Sequence, residues 1–143
     1  MSEVLSGTVV SVAAGDTITI LTQDQRKIKI RLYGIDTPEG GQAFGKKAKK
    51  FTSSLTYGKQ AEVIAYDIDR YGRTVGVVLV DGININEEII RAGYAWQYGK
   101  YCKEAFCPSW LRLESAARES RSGLWYDSDP TPPWEWRSGN RAP

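Results

Sequence analysis

The chain has 143 residues, 41% hydrophobic and 25% charged, with 19 Lys and Arg against 17 Asp and Glu and no His. The missing His excludes Ser-His-Asp and Cys-His nucleophile systems, imidazole acid–base chemistry and His-based zinc or iron sites. Catalysis is left to carboxylates, Arg, Lys, Tyr or a metal held by oxygen ligands, and a formal charge of +2 points to nucleic acid only where positive charge is locally concentrated.

The length suits one domain with a sizeable core and a short appended tail. No apolar run approaches the roughly 20 residues that span a bilayer, so no membrane association is expected. Met1-Ser2-Glu3-Val4 carries no signal-peptide pattern, although a chain with its leader trimmed reads the same. Cys102 and Cys107 are compatible with a local disulfide or with two free thiols.

Taken in chain order, Val9, Val10 and Val12 open a β-branched strand that Ala14-Gly15-Asp16 turns. Thr17–Leu21 alternates polar and apolar, Gln23-Asp24-Gln25 turns again, and Lys27–Leu32 alternates with its Ile and Leu residues on one face. The pattern predicts an antiparallel three-stranded meander. Asp36-Thr37-Pro38-Glu39-Gly40-Gly41 is a loop, after which Phe44, Ala48, Phe51 and Leu55 mark the inner stripe of a helix ended by Gly58. Lys46, Lys47, Lys49 and Lys50 fall on its solvent side. Glu62–Tyr66 and Thr74–Val80 are two further strands, joined by Asp67–Arg73. Asn84-x-x-Glu87 reads as a capping box for a short helix stopped at Gly93. A last helix starts near Pro108-Ser109, buries Trp110, Leu113 and Ala117, and ends before Gly123. Beyond Trp125 the composition shifts to an extended, Pro-rich tail whose Trp134 and Trp136 are expected to dock on the body.

This order predicts an α+β protein: a five-stranded OB-fold β-barrel with about three helices, over residues 1–126, followed by a tail over 127–143. The polar clusters then fall on strand ends and rim loops. Singly, each has a plain explanation: Asp16 caps a turn, Asp36 forms an Asx-turn before Pro38, Arg31 is an exposed strand residue, and Tyr71-Gly72-Arg73 is a hairpin. Together they supply more. The Asp16 and Asp36 carboxylates with the Thr37 main-chain carbonyl are hard oxygen ligands suited to Ca²⁺. Arg31 and Arg73 offer planar forks that match phosphate oxygens, and Glu39 is placed to hold a water beside the same phosphate. Metal, positive clamp and base are the equipment of phosphodiester hydrolysis.

Gly15-Asp16-Thr17, Arg31-Leu32-x-x-Ile35-Asp36-Thr37-Pro38-Glu39 and Asp69-Arg70-Tyr71-Gly72-Arg73 together resemble the motifs of the staphylococcal (micrococcal) nuclease family. The resemblance runs from about Ser6 to Trp125 and includes Asn86-Glu87-x-x-Ile90-x-x-Gly93 and the closing Gly-Leu-Trp. It implies an OB-fold, monomeric, Ca²⁺-dependent nuclease that cleaves DNA and RNA with little sequence preference and leaves 3′-phosphate products. By position it makes Asp16, Asp36 and the Thr37 carbonyl the metal ligands and Glu39 the general base. It makes Arg31 and Arg73 the stabilisers of the five-coordinate transition state. Tyr71 matches a tyrosine that lies against the nucleotide, and Tyr98 and Tyr101 lie in the stretch that flanks the base. Family members are often exported, which implies a secreted or periplasmic protein.

Three features depart from the family pattern. Ala14 stands where many members carry an additional Asp. The loop after Glu39 is shorter than in the staphylococcal enzyme, and the Cys102/Cys107 segment and the Pro-Pro-Trp-Glu-Trp tail are absent from that form. The rival reading is a non-catalytic OB-fold module binding nucleic acid or protein, in which the acids and arginines kept here are usually lost. A two-carboxylate glycosidase leaves the arginines unexplained.

Overall fold

The computed structural model describes residues 3–139. Its elements in chain order are β1 (Glu3–Ala14), β2 (Thr17–Leu21), β3 (Lys27–Leu32), β4 (Ile35–Asp36), α1 (Gly45–Thr56), β5 (Gln60–Ile68) and β6 (Thr74–Val80). They continue with β7 (Ile83–Asn84), α2 (Ile85–Arg91), β8 (Trp96–Gln97), α3 (Cys107–Glu119) and α4 (Pro133–Gly139). The main sheet runs β3-β2-β1-β5-β6-β7, and a further β3–β6 pairing closes its first five strands into a barrel. The expected α+β class and five-stranded OB-type barrel are therefore present, with four α-helices among the described residues rather than three.

β1 begins at Glu3, ahead of the expected Val9. Its first half pairs with β5, from Glu3↔Ala65 to Thr8↔Gln60, and its second half with β2. Register shifts between Val9 and Ser11 and between Val12 and Ala14 let this one long strand coil around the barrel. Closure is parallel, with Ile30 opposite Thr74, Arg31 opposite Val75 and Leu32 opposite Gly76. Alternation along β2 and β3 sends Ile18, Ile20, Ile30 and Leu32 into the interior, where they meet Val9, Val63 and Val78. The same alternation keeps Arg31 off the interior face, at the strand end.

The helices cover the barrel. α1 buries Ala48, Thr52 and Thr56, while Phe51 and Leu55 only flank that stripe and Phe44 precedes the helix in a left-handed conformation. Asn84 Oδ1 accepts the Glu87 N–H at 3.0 Å and so caps α2. Buried Asn86 accepts from the Val78 N–H and donates to the Tyr33 carbonyl, both at 3.0 Å, fastening α2 where the barrel closes. α3 carries Pro108 in its first turn and buries Trp110 and Ala117, with Leu113 half-buried. Cys102 and Cys107 form a disulfide beside Phe106 and Trp110.

A second apolar cluster of Trp96, Ala117, Leu124 and Trp125 lies outside the barrel core, with Phe44 and Trp134 packed against it. The Arg118 guanidinium covers the Trp96 and Trp125 rings at 4.9 and 4.2 Å. Trp134 docks as expected, but the segment that carries it is the helix α4 and not extended chain. Glu135 and Trp136 N–H groups both donate to the Pro132 carbonyl, a turn of backbone bonds that Pro132-Pro133 starts by leaving no competing donors. Residues 140–143 of the tail lie outside the described residues.

Candidate active site

Turns and strand ends at one rim of the barrel bring the acids together. The Leu32 N–H donates to the Asp16 carbonyl at 2.8 Å, which joins the β1–β2 turn to the end of β3. Asp36 sits on β4 opposite Trp96 of β8, and the Gln97 N–H donates to the buried Glu114 of α3 at 2.7 Å. From the other side the buried Thr52 hydroxyl of α1 donates to the Gly15 carbonyl at 2.6 Å. Gly15 is required by this approach, since a Cβ there would lie 3.0 Å from both Ala48 Cβ and Thr37 Oγ1. Gly45 has a parallel role, because a Cβ would collide with the Glu39 carbonyl as the loop curls over the start of α1.

Asp16 and Asp36 are buried, at 7% and 1% exposure, and share one guanidinium. Arg31 Nη2 lies 3.5 Å from Asp16 and 3.4 Å from Asp36. Its Nη1 donates to the Leu32 and Ile35 carbonyls, each at 2.9 Å, so the barrel backbone fixes its orientation. Burial pushes the Asp16 carboxyl up, but the Arg31 charge, the Thr37 N–H at 3.0 Å and the Thr17 hydroxyl at 2.9 Å outweigh it and hold the group below its ordinary range. Asp36 goes the other way. Burial, reinforced by the neighbouring Asp16 charge, raises it to about 6 even with two arginines beside it.

The second of those arginines is Arg137 of α4, a residue that the sequence reading did not single out. Its guanidinium lies 2.8 Å from Asp36 Oδ2 and 3.3 Å from Oδ1, and 2.5 Å from Glu39 Oε1. Glu39 is otherwise open to solvent over a third of its side chain. Gln42 ties the same loop together: its Oε1 accepts the Glu39 N–H at 3.0 Å and its Nε2 donates to the Thr131 carbonyl at 2.6 Å. No local pattern marks Arg137, because its partners lie about 100 residues earlier in the chain. Only the flanking tryptophans signalled that the tail has somewhere to go.

The remaining expected residues are more peripheral. Arg73 pairs with Asp69 at 2.7 Å and lies over the Tyr71 ring, and among the described residues it makes no ion pair or hydrogen bond with Asp16, Asp36 or Glu39. Asp69 is held below its ordinary range: the Arg73 and Tyr71 N–H groups and the Arg73 guanidinium overcome the effect of burial. Tyr71 is exposed, its ring flanked by Arg70 and Arg73 and its hydroxyl accepting from Arg70 at 2.9 Å. Tyr98 follows β8 and stacks on Trp134, with centroids 4.8 Å apart and planes 10° apart. Tyr101 meets Tyr98 edge-on at 4.9 Å and is exposed.

This donor set fits a hard divalent cation. Asp16 and Asp36 present oxygen ligands around the same Arg31 nitrogen, and the buried Thr37 Oγ1 has no protein partner among the described residues. Among the described residues no group of three or more acids or cysteines is placed to hold a metal unaided, so main-chain oxygen and water must complete the shell. Half-buried Ala14 adds no ligand.

Comparison with known proteins identifies the family. The profile described as Staphylococcal nuclease homologue matches residues 29–127. The chain belongs to the staphylococcal nuclease family. It is 43% identical over 135 residues to an "Uncharacterized endonuclease" of Escherichia coli O157:H7, covering 93% of this chain and 85% of that protein. Over 129 residues it is 42% identical to an "Uncharacterized endonuclease" of Haemophilus influenzae, covering 90% and 71%. A "Micrococcal nuclease" of Shigella flexneri is 38% identical over 144 residues, covering 94% and 82%. The matched span contains Arg31, Asp36, Glu39 and Arg73, and it ends before α4.

Proposed function

We propose that this chain is a calcium-dependent phosphodiesterase that hydrolyses DNA and RNA with low sequence specificity. The observation that carries this reading is the pair of buried carboxylates, Asp16 and Asp36, gathered around the Arg31 guanidinium, with Glu39 joined to Asp36 through Arg137. Family membership and the names of the relatives support nuclease activity.

Asp16, Asp36 and the Thr37 carbonyl hold Ca²⁺, which when bound supplies positive charge against the anionic phosphodiester. Glu39 takes a proton from the attacking water. Arg31 and Arg73 donate to the phosphoryl oxygens as charge builds on them. The water oxygen bonds to phosphorus as the P–O5′ bond breaks, O5′ leaves as a hydroxyl with a proton from water, and a 3′-phosphate is left. Each such pre-organised charge is worth on the order of 2.7–4 kcal/mol, or about 10²–10³ in rate. Tyr71, Tyr98 and Tyr101 offer ring faces to bases, and exposed Lys46, Lys47, Lys49 and Lys50 on α1 attract the backbone without reading sequence. The protein acts as a monomer. The Cys102–Cys107 disulfide supports a secreted or periplasmic location.

The test incubates the protein with plasmid and with single-stranded DNA, in Ca²⁺ or in chelator, alongside Glu39→Gln and Arg73→Ala. Cleavage in Ca²⁺ alone is expected, slowed about 10²-fold or more in both variants. Intact DNA across metals and pH overturns the reading, as does a Glu39→Gln variant as fast as wild type. Binding without cleavage favours the non-catalytic module.

A further inference from the structure

Among the described residues, the C-terminal segment contributes a cation to the very carboxylates assigned to the metal and to the general base. Arg137 forms a two-pronged pair with Asp36, at 2.8 and 3.3 Å, and reaches Glu39 at 2.5 Å. Nothing else fixes the Arg137 guanidinium: these acids are its only recorded partners in the described structure. A few residues earlier, Trp134 lies flat on Tyr98, one of the rings assigned to substrate bases. The segment thus sets a planar aromatic ring where a base would stack and a positive charge where a metal would bind.

We propose that this segment is a displaceable occupant of the active site, and that Arg137 and a divalent cation compete for Asp36. The inference rests on the metal and base assignments made above. Three carboxylates, Asp16, Asp36 and Glu39, face two guanidiniums, Arg31 and Arg137, which leaves one negative charge. Exchanging Arg137 for a divalent cation brings the set to neutrality. The exchange also loosens Arg137, since Asp36, its two-pronged partner, would then be engaged by metal and Glu39 alone would remain. Freed of that anchor, the segment retains the Trp134 contacts and the bond from Gln42 to the Thr131 carbonyl. A cleft of about 170 Å³ lies between it and the body, lined by Pro38, Gln42, Phe44, Trp96, Pro130 and Trp136. Tyr98 is uncovered when Trp134 leaves, so nucleotide access and metal binding are coupled through one movement. Linkage makes the coupling reciprocal: what weakens docking strengthens metal binding, and metal weakens docking.

The experiment titrates Ca²⁺ calorimetrically into the full chain, into Arg137→Ala and into Trp134→Ala, and follows backbone hydrogen exchange of residues 131–137 with and without Ca²⁺. Trp134→Ala changes no charge, so it separates release of the segment from simple removal of a cation. Both variants are expected to bind Ca²⁺ at least about 5-fold more tightly than wild type. Exchange in 131–137 of the wild type is expected to quicken when Ca²⁺ is added. Unchanged or weaker Ca²⁺ binding in Trp134→Ala, or exchange that Ca²⁺ slows or leaves unaltered, overturns the competition while leaving the metal site standing. If none of the three forms binds Ca²⁺, the metal assignment itself fails, and the competition with it.

Discussion

Arg31 and Arg137 both reach Asp36, one from the barrel rim and the other from the C-terminal segment. Arg31 is 16% exposed and spends one nitrogen on two main-chain carbonyls, so strand geometry holds its fork whether or not the acids are engaged. Arg137 is 32% exposed and, among the described residues, bonds only to carboxylates. On the proposed reading, two residues of the same type, on the same acid, are thereby suited to opposite tasks. The charge proposed to stay through the reaction is tied to backbone, and the charge proposed to leave is tied to carboxylates.

The contrast gives a ranked set of tests. The largest effect is expected from Arg31→Ala, which should reduce cleavage by about 10²–10³ at saturating Ca²⁺. It should also cost about 3–5 kcal/mol of stability in denaturant unfolding, because two buried carboxylates lose their shared partner. Arg137→Ala should do the reverse at limiting Ca²⁺ and raise the cleavage rate. Equal losses in the two variants would erase the distinction.

Next is the pH dependence of the metal-free protein. The Asp36 carboxyl is raised from 3.8 to about 6, so the native state holds its proton more tightly than the unfolded chain. Its contribution to stability is full below 3.8 and falls as pH rises through about 6, by at most about 3 kcal/mol. Asp16, lowered, works in the opposite sense: its contribution is present above 3.8 and is lost as pH falls further. Subtracting the stability curve of Asp36→Asn from that of wild type should isolate the decline between 3.8 and about 6. A flat difference would deny the raised value.

Smaller effects test the supports of the rim. Gly15→Ala forces a methyl against Ala48 and Thr37 and should cost about 1–3 kcal/mol, seen as a lower Tm. Thr52→Val removes the hydroxyl bond to the Gly15 carbonyl at little change in shape, and about 1 kcal/mol is expected. Both should lower Ca²⁺ affinity by moving Asp16, and neither should alter hydrogen exchange in 131–137.

Much of the barrel was legible from local pattern, since alternation in Thr17–Leu21 and Lys27–Leu32 decides which side chains face inward wherever the strands pair. Capping at Asn84 and the stop at Gly93 are likewise local, and the structure keeps both. The acids and arginines of the rim were legible through their motif, because each sits within a few residues of a turn that positions it. The first residues of β1 were not, because their pairing with β5 depends on residues far along the chain. Nor was the full buried face of α1, where Thr52 and Thr56 lie deeper than Phe51 and Leu55, which pack against the core only in part.

Composition and order alone settled that there is no imidazole chemistry, that the chain is a small α+β barrel protein, and that its polar residues collect at one rim. These follow from residue type and from periods of two and 3.6, which act over a few neighbours. Only the folded chain decided that Arg31 bridges both acids, that Cys102 and Cys107 are joined, and that a tail arginine reaches the site. Those contacts join residues whose meeting depends on how the strands close and where the chain returns. No local propensity carries that information, because the free energy that selects it arises only when distant surfaces are buried together.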